Sequence, residues 1–172
     1  MRLKKRSDFG VEFKTLASDG IIFYIADEKN SDFIALFVKN GKLIYGFNCG
    51  SGPVYIESPQ AVNDGRFVNS FTVHLKKYLF RVPLNCTTYF ENSFYISYFH
   101  THLFSFWLFR WHFAEFSRQA KKGKLYIDGS LMNEASAFGP AKNIEVVETF
   151  HVGGLPKETL EMAVVKRNLK VC

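Results

Sequence analysis

The 172 residues of the chain (19.8 kDa) are 47% hydrophobic and 22% charged, which suits one folded domain with a real core and excludes wholesale disorder. The net charge of +6 is concentrated in residues 1–8 and 67–110 and accompanies no recognisable reader motif, so it does not point to nucleic acid. Cys49, Cys86 and Cys172 form no paired spacing, which excludes a dense disulfide scaffold and the usual structural zinc sites; no apolar run is long enough for a membrane span, and the basic start MRLKKRSDFG does not read as a signal peptide.

The first half reads as strands. Asp19-Gly20 turns the chain into the apolar run Ile21-Ile22-Phe23-Tyr24-Ile25, rich in β-branched and aromatic side chains. Phe33 to Val38 and Leu43 to Phe47 are two more runs, and Asn40-Gly41 between them predicts a two-residue hairpin turn, which needs positive φ at both positions. Gly50-Ser51-Gly52-Pro53 and Asn63-Asp64-Gly65 are turns on either side of a strand at Val54-Tyr55-Ile56. Beyond residue 110, Phe113, Glu115 and Ser117 alternate with Ala114, Phe116 and Arg118. Gln119 to Gly123 reads as a polar turn, Lys124 to Gly129 as a strand ending in a turn, and Glu145 to Val152 as a strand closed by Gly153-Gly154-Leu155-Pro156. Val164-Val165 and Leu169 to Val171 suit a last strand. Helical periodicity is nowhere sustained, so the expected class is an all-β sandwich or barrel.

Residues 67–110 break this style. Close to half of the chain's Phe, Tyr and Trp residues fall between Phe67 and Phe109, with no glycine among them and no clean period.

In order, Thr15 to Ile25, Asp32 to Leu36 with Asn40 to Leu43, Phe47 to Gly52, Asn63 to Arg66, Trp111-His112 with Phe116 to Arg118, Gly123 to Gly129, and Val152 to Pro156 resemble the laminin G-like domain of laminin α chains, agrin, perlecan and neurexins. The Val-Gly-Gly-Leu-Pro ending leans towards a laminin α chain. The resemblance covers roughly residues 11–66 and 111–170 and implies a concanavalin-like jelly-roll β-sandwich. On this reading residues 1–8 are a tail unlike the family's opening strands, the sandwich at 9–172 is incomplete at its N-terminus, and residues 67–110 interrupt it. The Phe, Leu and Ser crowding at Leu103 to Phe109 matches the pyrimidine-rich 3′ end of an intron, so this insertion is expected to be translated intron sequence, extruded from the sandwich.

The resemblance also implies function: an extracellular-matrix and cell-adhesion module, extracellular in location, that recognises sulfated glycans or glycosylated receptors such as dystroglycan, and integrins. Calcium is the cofactor it implies, with Asp32 and Glu145 as side-chain ligands and the backbone carbonyls of Cys49 and Asn143 completing the set. Carboxylate and carbonyl oxygens are what a hard cation takes, although Glu145 stands where the family usually has Asp or Asn. Read from the residues alone, Asp32 is a solvated turn acid, and the resemblance is what makes it a ligand. Arg118, Lys121, Lys122 and Lys124 gather around one turn, either as a solubilising face or as a patch for sulfated glycans. Gly50-Ser51-Gly52 lacks the lysine and helix of a phosphate loop, and His112 reads as core packing. His100 and His102 have no third metal ligand, and Asn85-Cys86-Thr87 is a glycosylation sequon inside the suspect segment. Glu145 and Glu148 would face opposite sides of a strand and no nucleophile motif is present, so no enzyme is expected. The alternatives are a non-functional or misfolding product that retains an intron, and an intracellular lectin-like domain.

Overall fold

A computed structural model describes residues 2–3, 5–64, 70–75, 78–82, 111–146, 150–163 and 168–169. The strands are β1 (Arg2–Leu3), β2 (Arg6–Lys14), β3 (Gly20–Ala26), β4 (Asp32–Lys39), β5 (Lys42–Cys49), β6 (Pro53–Ala61), β7 (Ser70–Leu75), β8 (Tyr78–Val82), β9 (His112–Gln119), β10 (Lys122–Ile127), β11 (Ser130–Ser136), β12 (Ile144–Glu145) and β13 (His151–Val152), followed by a short helix, α1 (Lys157–Met162). One sheet runs β11-β10-β9-β2-β7-β8 and the other β13-β3-β4-β5-β6, while β1 and β12 pair separately. All these strand pairs are antiparallel.

The turn chemistry places the hairpins. Asn40 and Gly41 have φ of 52° and 78° and join β4 to β5, as the Asn-Gly pair requires. Asp128 and Gly129 repeat these values (52° and 78°) between β10 and β11. The turn read at Gln119 to Gly123 is tighter, because Gln119 already pairs with Lys122 and only Ala120 and Lys121 lie between them.

The core fills the space between the sheets. Val11 and Phe13 of β2, Ala114 and Phe116 of β9 and Leu125 of β10 meet Ile34 and Leu36 of β4, Tyr45 and Phe47 of β5 and Ile56 of β6, all of them buried. Phe116 lies at its centre, with ring centroids 5.3 Å from both Phe9 and Tyr45 and 5.5 Å from Phe23. The second sheet buries its other face as well. Tyr24, Phe33, Ala35, Phe37 and Ile44 point away from the sandwich and form a separate cluster with Leu155, Leu160 and Ala163. This two-sided burial explains why β3, β4 and β5 appear in the sequence as unbroken apolar runs rather than alternating ones.

Four features differ from the sequence expectation. Arg6, Ser7 and Asp8, read as tail, are the first residues of β2, which pairs with β9 from Arg6↔Gln119 to Phe13↔His112, and Arg2–Leu3 pairs with β12. Residues 70–75 and 78–82, read as part of an extruded insertion, form β7 and β8 at the edge of the six-stranded sheet; β7 pairs along β2 from Phe9↔Leu75 to Lys14↔Ser70. Where a single strand from Glu145 to Val152 was expected, the described residues form two short pieces, β12 and β13, in different sheets. Helix α1 was not expected, being too short to show a period, although Pro156 at its cap and Glu158 in its first turn are ordinary helix-start residues. Asn85, Cys86, His100, His102, Glu148, Val164-Val165 and Val171 lie outside the described residues, as does the rest of the stretch 83–110.

Candidate cation and glycan site

The residues expected to hold a cation come together at one rim of the sandwich. Asp32 opens β4 and lies directly opposite Cys49, the last residue of β5. Its loop is tied by Asp27, whose Oδ1 accepts hydrogen bonds from the backbone N–H of Ser31 (2.7 Å) and Asp32 (3.2 Å). Across 113 residues of sequence, the backbone N–H of Glu145 donates to Asp32 Oδ2 at 2.9 Å. That bond sets β12, with Asn143 just before it, beside the ends of β4 and β5. Gly50, at φ 84°, continues the rim next to the Asp32 carboxylate.

The electrostatics of Asp32 are those of a crowded acid. Partial burial pushes its carboxyl above the usual carboxylate range, and the neighbouring charges of Asp27 and Glu145 add to this; the Glu145 N–H and the Arg118 guanidinium oppose it. A site of this kind is relieved by a cation. Among the described residues, however, no three His, Cys, Asp or Glu side chains are grouped to hold a metal ion. A hard, oxygen-seeking cation here would have to draw on the two expected carboxylates, Asp32 and Glu145, with the remaining ligands from backbone carbonyls such as those of Cys49 and Asn143, and from water.

The basic patch is divided. Arg118 is not part of a surface, being 1% exposed. It alternates inward on β9 with His112, Ala114 and Phe116, and its Nη1 donates to the carbonyls of Ala120 and Lys142 (2.8 Å to the latter) and lies 4.0 Å from Cys49 Sγ. This corrects its assignment to a glycan-binding face: a buried guanidinium held by the carbonyls of the loops above it is a structural cation. Lys122 and Lys124 are on β10 and share one partner, Glu134 of β11, at 2.6 Å and 3.8 Å. Their charge pulls the Glu134 carboxyl below its usual value, first through the Lys122 hydrogen bond. Lys121 stands apart and donates to the carbonyl of Gly139 at 2.9 Å.

His112 is buried, with its ring 5.8 Å from that of Phe13. Its Nδ1 lies 3.0 Å from Asp128 Oδ2 and its Nε2 lies 3.1 Å from Asp64 Oδ1. Packing was the expected role; the carboxylate on each side, joining the β9 start to the β10–β11 turn and to the segment after β6, was not foreseen.

The family model described as the laminin G domain matches residues 13–84. Over that stretch the chain is similar to the laminin G-like domains. The match runs past Arg66 through β7 and β8, so the resemblance extends into the stretch read as an insertion. Mouse laminin subunit alpha-4 is 39% identical over 61 residues, which is 36% of this chain and 3% of that protein. Human pikachurin is 40% identical over 65 residues, 36% of this chain and 6% of that protein. The chain thus spans only a small fraction of the curated relatives it matches. In fold it superposes on the mouse laminin alpha1 chain domains LG4-5 with a TM-score of 0.60, covering 91% of this chain and 32% of that one at 19% identity.

Proposed function

We propose that this laminin G-like domain is an extracellular-matrix binding module that holds a calcium ion at the Asp32–Glu145 rim and recognises acidic glycans, or receptors that carry them, through that ion and the lysines nearby. The observation that supports the reading is the 2.9 Å bond from the Glu145 backbone N–H to Asp32 Oδ2, which holds the start of β12 beside the Asp32 carboxylate, itself opposite Cys49 at the end of β5. Recognition would be an equilibrium event: a cation held by few protein ligands keeps coordination positions for an oxygen of an acidic sugar. No catalytic step is required of any residue. The relatives' names support an extracellular setting, since laminin subunits recur among them. Among the described residues no helix is long and apolar enough to cross a membrane. The reading as a misfolding product is less favoured, because β2 and β9, drawn from either side of the aromatic stretch, pair from Arg6↔Gln119 to Phe13↔His112 around a common core.

The test is thermal unfolding with calcium and with chelator. A ligand at a hundredfold excess over its Kd stabilises by about 2.7 kcal/mol, and a domain of this size moves by about 2–4 °C per kcal/mol. A rise in Tm of about 5–10 °C is therefore expected, and Asp32→Ala should remove it. An unchanged Tm in millimolar calcium, with no heat of binding by calorimetry, refutes the cation site.

A further inference from the structure

The loop after β11, residues 137–142, presents an aromatic ring that nothing above uses. Phe138 is 79% exposed, while the next most exposed large apolar side chain among the described residues, Leu16, is at 52%. Single exposed apolar residues are ordinary; this one differs in how firmly its backbone is held. On its N-terminal side, Ala137 is buried in the core and its N–H donates to the Lys121 carbonyl at 2.9 Å. On the other side, the Gly139 carbonyl accepts from Lys121 Nζ at 2.9 Å and the Lys142 carbonyl from buried Arg118 at 2.8 Å. Gly139 itself has φ 73° and lies so close to Ser51 that an added Cβ would come within 2.7 Å of the Ser51 Cβ. Ser51 is in the turn that continues from Cys49 and Gly50, so the loop is fastened to the same rim as Asp32.

A solvent-facing ring on a firmly held backbone, at a polar rim, suits a flat partner with an apolar face and a charged edge. We propose that Phe138 is a stacking platform for a pyranose ring of an acidic glycan, with Lys121 taking the sugar's carboxylate or sulfate. The axial C–H groups of a pyranose lie on the negative face of a phenyl ring, while its hydroxyls and acidic groups point outward. An ammonium has three N–H donors, and the Gly139 carbonyl takes one from Lys121, which leaves donors for an anion beside the ring. Because the backbone of the loop is already ordered, little entropy opposes binding at this position. The proposal deepens the glycan reading above and names the part of the rim that would sense sugar rather than charge.

The test separates the two. Binding of a heparin hexasaccharide and of inorganic polyphosphate, which has charge but no pyranose, is measured by calorimetry with the full chain, once in calcium and once in chelator. Phe138→Ala should weaken the hexasaccharide by about 3–10-fold, the range expected for loss of one aromatic contact, and leave polyphosphate unchanged; Phe138→Trp should retain or strengthen the hexasaccharide. The calcium-dependent rise in Tm should survive in Phe138→Ala, so failure of the cation reading and failure of the platform are seen separately. Equal losses for both probes, or no loss for either, overturn the proposal. So does a Phe138→Ala protein whose only change is in self-association, which would make the ring a contact between copies.

Discussion

Replacing Arg118 with Met tests whether this side chain belongs to the interior or to a glycan-binding surface. Met keeps much of the apolar stem and removes the guanidinium, so the Ala120 and Lys142 carbonyls lose their charged donor. An unsatisfied buried carbonyl costs about 1–3 kcal/mol, which puts the loss for two at about 2–6 kcal/mol. Both bonds are only partly buried, so water can replace some of what is lost, and removing a buried charge relieves its desolvation. The lower end applies, about 2–3 kcal/mol, or roughly 4–12 °C in Tm. Urea unfolding followed by tryptophan fluorescence or circular dichroism reads this as a lower midpoint at unchanged slope. A change within about 0.5 kcal/mol, the range of ordinary surface substitutions, together with weaker retention on heparin, would refute the interior placement and return Arg118 to the basic patch.

Three further outcomes follow from the same geometry. Asp32→Asn should stabilise the calcium-free domain at neutral pH by no more than about 1 kcal/mol, since water screens the partly exposed carboxylate. A carboxyl raised in the folded state penalises folding only when ionised, so the variant's advantage in chelator is full above the folded pKa and vanishes as pH falls below the unfolded value of 3.8; equal Tm values across a pH titration would contradict it. Glu134→Gln releases Lys122 and Lys124 from their shared partner, so elution from heparin should move to higher salt, and an unchanged elution point would show that these lysines do not meet the glycan. Gly123→Ala should destabilise by about 1–3 kcal/mol, because the new methyl would lie 2.9 Å from Phe47 Cζ and 3.1 Å from Ile56 Cδ1 across the sandwich; unfolding at the wild-type urea midpoint would mean that the sheets are not packed this closely there.

What the sequence disclosed follows the range of the forces involved. Turns are local, so Asn40-Gly41 and Asp128-Gly129 could be read from residue type alone. Strand runs are local too, but what covers them is not: the outward faces of Phe33, Phe37 and Ile44 are buried by Leu155, Leu160 and Ala163, more than a hundred residues on. The tail reading failed at Arg6 to Asp8 because polar composition hid a strand whose pairing with β9 supplies the order. Arg118 was the opposite case. The alternation along β9 already placed it on the face of Ala114 and Phe116, and that signal was outweighed by the lysines that follow it. The contact of Glu145 with Asp32 spans 113 residues, and no local rule reaches so far; only the resemblance brought the two together.

The two proposed surfaces share one support. The buried Arg118 guanidinium binds the carbonyl of Lys142, which ends the Phe138 loop and directly precedes Asn143, a proposed source of a cation ligand. The same group lies 4.0 Å from the sulfur of Cys49, the residue opposite Asp32, and its positive charge opposes the rise in the Asp32 pKa. An interior cation at this place has two effects of opposite sign on a bound metal ion: it orders the backbone that would supply oxygen ligands, and it repels a second positive charge. If ordering dominates, Arg118→Met weakens calcium binding although it removes a like charge. If repulsion dominates, the variant binds calcium more tightly than the wild type while being less stable without it. Calcium titration of this one variant distinguishes the two, and with it whether the rim depends on Arg118 for its shape or holds its cation in spite of Arg118's charge.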